Sequence, residues 1–189
     1  MTRRIVGWMA LLCLAASAGA CASQKEGTTD MPPPSSTEGS TLAAAPLSCA
    51  LSVAPRLKVG EPVKVTFRLT NPTAQPLYVL NWRTPLEGLK SSCLEISRAG
   101  TEIPYQGPMF KRGNPGAEAY VEIAPGATVE NTIEAQLAYD FSQPGTYRIA
   151  FPGPVLDSTS QKAEVPRPLE QHRERAVQCQ AVETQIVSP

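Results

Sequence analysis

The sequence predicts an all-β domain, an antiparallel β-sandwich of about 7–9 short strands. Three observations carry this reading. Apolar residues recur with a period of two in short runs, turn residues separate those runs, and 13 glycines with 19 prolines among 189 residues leave little room for long helices. One apolar face per strand is useful only when a second sheet, about 10 Å away, covers it.

The elements follow in order. Leu51 and Val53 suggest an opening strand. Val63, Val65, Phe67 and Leu69 alternate with Lys64, Thr66 and Arg68, which gives one buried and one wet face; Gly60-Glu61-Pro62 introduces this strand and Asn71-Pro72 closes it. Residues 77–82 form a strongly apolar stretch. Leu94-Glu95-Ile96 comes next and, across a turn at Ala99-Gly100, Ile103-Pro104-Tyr105. Tyr120-Val121-Glu122-Ile123 meets the turn Pro125-Gly126, residues 128–133 resume extended structure, residues 146–151 alternate again, and Val182, Thr184 and Ile186 close the series. Phe67 and Trp82 are the large side chains expected between the sheets, with a strand end or surface groove as the alternative seat for Trp82.

Asp140-Phe141-Ser142-Gln143-Pro144-Gly145-Thr146-Tyr147 feeds a proline-glycine turn into a strand with an early tyrosine. It resembles the E-to-F corner of immunoglobulin-like domains, where a tyrosine hydroxyl donates to a nearby backbone acceptor. The fold class is accordingly immunoglobulin-like, with Asp140, Gly145 and Tyr147 at its corner. Between 152 and 176 the strand pattern weakens and Pro166 and Pro168 interrupt it, so this stretch reads as a long connection over a sheet edge.

The N-terminus reads as an address. Residues 1–20 combine Arg3 and Arg4 with an apolar run and then small residues, the pattern of an export signal; the run is shorter than the roughly 20 apolar residues a membrane span needs. Ala18-Gly19-Ala20-Cys21 resembles a bacterial lipobox, which implies lipid attachment at Cys21; ordinary cleavage after Ala18 or Ala20 is the alternative. The residue after Cys21 is not aspartate, a pattern that resembles retention in an outer membrane, on either its periplasmic or its surface face. Residues 21–46 carry a proline triplet with many Ser and Thr and read as a flexible tether to the domain at 47–189.

Removing Arg3 and Arg4 with the signal takes the basic count from 17 to 15, against 17 acidic residues. No basic excess supports nucleic-acid binding. His172 is the single histidine, so a zinc site built on paired histidines is excluded, and no glycine-rich phosphate cradle or dinucleotide fingerprint is present. The sequence therefore implies no metal, no cofactor and no enzyme. Cys49, Cys93 and Cys179 remain in the exported domain. An oxidising compartment favours one disulfide: Cys49–Cys93 is the first choice, since it ties the opening strand to the sheet, and a pair involving Cys179 is the alternative.

A longer set of words then appears in order: Gly60-Glu61-Pro62-Val63-Lys64-Val65-Thr66-Phe67, Trp82-Arg83-Thr84-Pro85-Leu86-Glu87-Gly88, Tyr105-Gln106-Gly107-Pro108-Met109-Phe110-Lys111-Arg112, Ala138-Tyr139-Asp140 and Gly145-Thr146-Tyr147. Together they resemble the immunoglobulin-like N-terminal propeptide region of bacterial deuterolysin-type zinc metalloendopeptidases, the aspzincins, over roughly residues 51–151. The resemblance implies a sandwich that chaperones or inhibits a peptidase. It carries over no peptidase activity, because no HExxH sequence occurs in the chain.

The implied contact surface joins residues 82–89 to residues 105–115. Trp82, Arg83, Pro85, Leu86, Glu87, Tyr105, Met109, Phe110, Lys111 and Arg112 are its members. Prolines restrict these loops, Met109 and Phe110 offer apolar contacts, and Lys111 and Arg112 can engage carboxylates. The same residues can instead brace the loops against their own sheet. The expected function is an envelope-anchored, non-catalytic domain that inhibits or chaperones a secreted metallopeptidase. An accessory envelope lipoprotein that binds an unrelated surface component is the alternative.

Overall fold

The computed structural model describes residues 47–189; the signal at 1–20, the lipid-attachment residue Cys21 and the tether to residue 46 lie outside the described residues. Among the described residues eleven strands form three sheets. The first sheet orders β1 (Ser48–Ser52), β3 (Lys64–Thr70) and β8 (Thr128–Glu134), and the second orders β10 (Ser158–Thr159), β4 (Leu77–Leu80) and β7 (Tyr120–Ile123). The third runs β2 (Arg56–Lys58), β11 (Val182–Val187), β9 (Gly145–Ala150), β5 (Glu95–Arg98) and β6 (Thr101–Glu102). All pairings are antiparallel except that of β11 with β2. The architecture is all-β and broadly sandwich-like.

Alternation in β3 sets the core. Val65, Phe67 and Leu69 are fully buried, while Lys64 and Arg68 on the other face are exposed. They meet Val79 of β4, Ile123 of β7, Ile96 of β5, Tyr147 and Ile149 of β9, and Ile186 of β11 in one apolar cluster that draws on all three sheets. Phe67 and Phe151 approach to 5.0 Å between ring centroids. Burying each side chain of this size contributes ~1.5–3 kcal/mol. At the corner, the Tyr147 hydroxyl donates to the Gln143 carbonyl at 2.8 Å, and Asp140 Oδ1 accepts the Ser142 amide at 2.8 Å. Gly145 opens β9 at φ 148°, backbone that residues with a Cβ rarely adopt.

β4 is buried along its whole length because both its faces are covered. Leu77 and Val79 enter the main core, whereas Tyr78 and Leu80 join Ala119 and Tyr120 in a second apolar cluster under Leu156, Val165 and Trp82. Trp82 is thus half-buried on this second cluster, at the strand end that is the alternative to a seat between the main sheets. The reason is positional: it lies just past the end of β4, on the side that the 152–176 segment also covers. That segment contributes β10, which pairs with β4, and a bridge between Val155 and Arg175.

Other expectations need correction. Strands number eleven, not 7–9, because two- and three-residue pieces at β2, β6 and β10 carry too few residues to show a period. Extended pairing opposite β5 lies at Thr101–Glu102; Ile103 still donates its amide to the Ile96 carbonyl at 2.8 Å, but Pro104, with no N–H, stops the ladder. The disulfide joins Cys49 to Cys179, not to Cys93. Residue 179 runs beside β1, which brings the two Cα atoms to 4.8 Å, whereas the Cys93 thiol is sealed in the core at 2% exposure. Burial first, and the nearby Glu87 charge second, push that thiol up to about 12, so it is a poor nucleophile.

The disulfide closes a separation of 130 residues, a constraint worth about 3–5 kcal/mol by chain entropy. Cys179→Ala is expected to lower the unfolding free energy by about that amount in denaturant titrations. Native protein should show no thiol reactive toward Ellman's reagent among residues 47–189, with Cys93 reacting only after unfolding.

Candidate functional site

The two loops named from the sequence do come together at one edge of the fold. In the first, Thr84 caps a single 3-10 turn at Pro85–Glu87 by accepting the Leu86 amide at 3.2 Å, and the Pro85 carbonyl accepts from Asn131 of β8 at 2.8 Å. Glu87 turns back: its Oε1 accepts the Arg83 amide at 2.7 Å and the Ser91 hydroxyl at 3.2 Å. The first of these bonds accompanies Arg83 at φ 56°, a left-handed conformation uncommon outside glycine. Leu86 packs on the edge of the main core.

The second loop is fastened to the first by Arg112. Its guanidinium pairs with Glu87 Oε2 and stacks 4.9 Å from the Trp82 ring centroid and 5.7 Å from that of Phe110. Only 3% of the Glu87 side chain is exposed, so this pairing compensates a carboxylate almost withdrawn from water. The Tyr105 hydroxyl lies 3.1 Å from the Leu89 carbonyl and 3.0 Å from that of Pro108, and its ring meets Tyr139 edge-on at 5.3 Å. The Phe110 amide donates to the Lys90 carbonyl at 3.3 Å.

These contacts divide the expected surface. Trp82, Pro85, Leu86, Glu87, Tyr105 and Arg112 brace the loops. Met109 and Phe110 project outward at 72% and 56% exposure, with Lys111 exposed beside them. A rigid base thus presents two apolar side chains and one cation at its tip, an arrangement suited to protein contact.

A second polar constellation was not legible in the sequence. Asp157 has no exposure. Its Oδ1 accepts from Arg167 Nη1 at 2.8 Å and from the Arg173 amide at 3.0 Å, and its Oδ2 from the Tyr120 hydroxyl at 2.7 Å. Arg167 also pairs with Glu164, whose carboxylate accepts the Thr159 hydroxyl at 2.8 Å. Asp157 lies inside a run that reads as polar loop, and nothing in its spacing marks it as the residue that Arg167, Arg173 and Tyr120 surround. His172 lies with Nε2 3.1 Å from the Arg167 carbonyl. Among the described residues no group of three or more His, Cys, Asp and Glu side chains is placed to hold a metal ion. The open depression of about 510 Å³ between Gly60 and Phe141 is lined by Leu137 and Tyr139.

Two outcomes follow. Arg112→Ala should destabilise the domain by about 1–3 kcal/mol, because Glu87 keeps two donors but loses its counter-charge. Met109→Ser with Phe110→Ser should cost no more than about 1 kcal/mol in the same chemical denaturation, the scale of the exposed contact between Phe110 and Arg112. Burial, then the hydrogen bond to Asp157, pushes the Tyr120 phenol up to about 12; burial does the same for Tyr139. Both folded-state values exceed the ordinary 10, so the unfolded chain loses these protons first. Stability is retained below about pH 10 and falls as pH rises from about 10 to about 12. Phenolate absorbance at 295 nm should show Tyr120 and Tyr139 ionising late, with Tyr105 also displaced upward by burial, and the unfolding free energy declining in the same window.

No family model matches the chain. It is 29% identical over 126 residues to a protein named extracellular protease from Aeromonas hydrophila, a match covering 64% of this chain and 36% of that relative. It is 30% identical over 87 residues to a neutral protease 2 homolog from Uncinocarpus reesii, covering 45% of this chain and 24% of the relative. The match therefore spans about a third and a quarter of those proteins' lengths. Among solved structures, the CARDB domain of the PF1109 protein from Pyrococcus furiosus aligns in its crystal form with a TM-score of 0.34 at 12% identity, over 76% of this chain and 94% of that one. Its solution structure gives 0.33 at 11%, over 77% and 97%. At those TM-scores the likeness adds nothing to the fold, which rests on the strand pairing above. What the sequence matches place beside this chain is part of each of two proteins named as proteases.

Proposed function

We propose that this protein is an exported, non-catalytic domain that binds a secreted metallopeptidase and either restrains it or assists its folding. The observation that carries the reading is a 126-residue likeness to an extracellular protease in a chain whose single histidine, His172, sits against a backbone carbonyl. The words shared with aspzincin propeptides, and the Tyr147 corner, support an immunoglobulin-like propeptide relative as the finer description. Cys21 would hold the domain at an outer membrane through lipid, with the segment to residue 46 as the reach.

Contact falls to the tip at Met109, Phe110 and Lys111. Glu87, Arg112 and Tyr105 fix the backbone beneath it, so little ordering remains to oppose binding. The mode is coverage of a surface or cleft, without bond chemistry.

The test titrates the mature chain against deuterolysin-type peptidases secreted by the same organism. Stoichiometric loss of peptidase activity, or a higher yield of active peptidase on refolding, is the expected result. Met109→Ser with Phe110→Ser and Lys111→Ser should weaken that effect at least tenfold with the circular dichroism unchanged. Absence of any effect on those peptidases would remove the proposal.

A further inference from the structure

The 152–176 segment builds a cationic pocket that the loop tip does not use. It is an open depression of about 380 Å³ lined by Arg167, Arg173 and Arg175 together with Ser158, Thr159 and Ser160. The three arginines differ. Arg167 is buried and already answered by Asp157 and Glu164. Arg173 and Arg175 make no ion pair among the described residues.

Their backbones are nonetheless fixed. The Arg173 amide donates to Asp157 Oδ1 at 3.0 Å, and Arg175 exchanges both backbone bonds with Val155, at 3.0 and 2.9 Å. Two arginines on fixed backbones therefore line one pocket without an ion pair among the described residues. Glu164, the one carboxylate on the lining, is engaged by Arg167 and Thr159. A carboxylate can be satisfied by a single guanidinium fork and would leave the second arginine unmatched, whereas a tetrahedral dianion has oxygens for both.

From this we infer that the pocket binds a phosphate group, with Arg173 and Arg175 each donating to its oxygens and Ser158 and Ser160 sharing its lining. The shared chemistry is the phosphate; free phosphate and a lipid headgroup are its two sources. This site is independent of the peptidase contact.

The test uses the signal-cleaved chain with Cys21→Ser, so that no acyl group contributes. Calorimetric titration with inorganic phosphate at constant ionic strength should show saturable binding, weakened at least tenfold in Arg173→Gln/Arg175→Gln. The single variant Arg173→Gln, at an exposed position, should weaken binding even if the double variant folds poorly. Flotation with vesicles of phosphatidic acid in phosphatidylcholine, against phosphatidylcholine alone, separates the sources. Arginine-dependent vesicle binding assigns the headgroup, and phosphate binding without it assigns the free anion. No response to either, binding unchanged in both variants, or succinate bound as tightly as phosphate would overturn the assignment.

Discussion

Asp157 is a carboxylate with no contact with water, and such a group is tolerated only where donors surround it. Here one donor comes from another element, the phenol of Tyr120 in β7, and two from the same return segment, the guanidinium of Arg167 and the amide of Arg173. The Asp157 carbonyl accepts the amide of Leu80 at the end of β4. One residue thereby positions the whole return segment. The pairing of β10 with β4, the cover over Tyr78 and Leu80, and the half-buried seat of Trp82 all follow from that segment's place. Removing either partner of a buried pair of this kind costs roughly 3–5 kcal/mol, since the other is left charged and dry.

The loop edge obeys the same logic on a smaller scale. Glu87 is nearly as withdrawn as Asp157, and its partner Arg112 reaches it from 25 residues away. Arg112 also lies over Trp82 and Phe110, so one guanidinium joins an ion pair to two aromatic faces. Bracing is confined to part of this loop pair. Arg112 is fastened to its own fold, while Met109, Phe110 and Lys111, one to three positions before it, face outward. Bracing is what makes the exposed tip usable for contact, because a mobile loop would have to be ordered first.

Much of the fold was legible because period-two patterns record which face is buried. Val63, Val65, Phe67 and Leu69 announce a core strand, and Pro144-Gly145 before Tyr147 announces a corner whose hydroxyl does reach the Gln143 carbonyl. The continuous apolar run of β4 also has its reason in the fold, since it is covered on both faces. The disulfide was not legible in this way. Cys49 lies far nearer in sequence to Cys93 than to Cys179, yet the chain returns past β1 at residue 179, and separation along the chain says nothing about that return. The phosphate pocket was equally hidden, because its arginines sit in a segment with no period.

By itself, then, the sequence determined the all-β class, the inward residues of the longer strands, the corner at Tyr147 and the two loops that meet at one edge. Each of these is written in local spacing, turn residues or a run of adjacent words. The tertiary structure decided that Cys49 bonds to Cys179, that Trp82 lies outside the main core, that Arg112 is spent on Glu87 while Met109 and Phe110 are exposed, and that Asp157 gathers its donors. The physical reason is range: alternation and turns are set between neighbours, whereas charge pairing, disulfide geometry and burial depend on which distant segments the folded chain brings within a few ångströms.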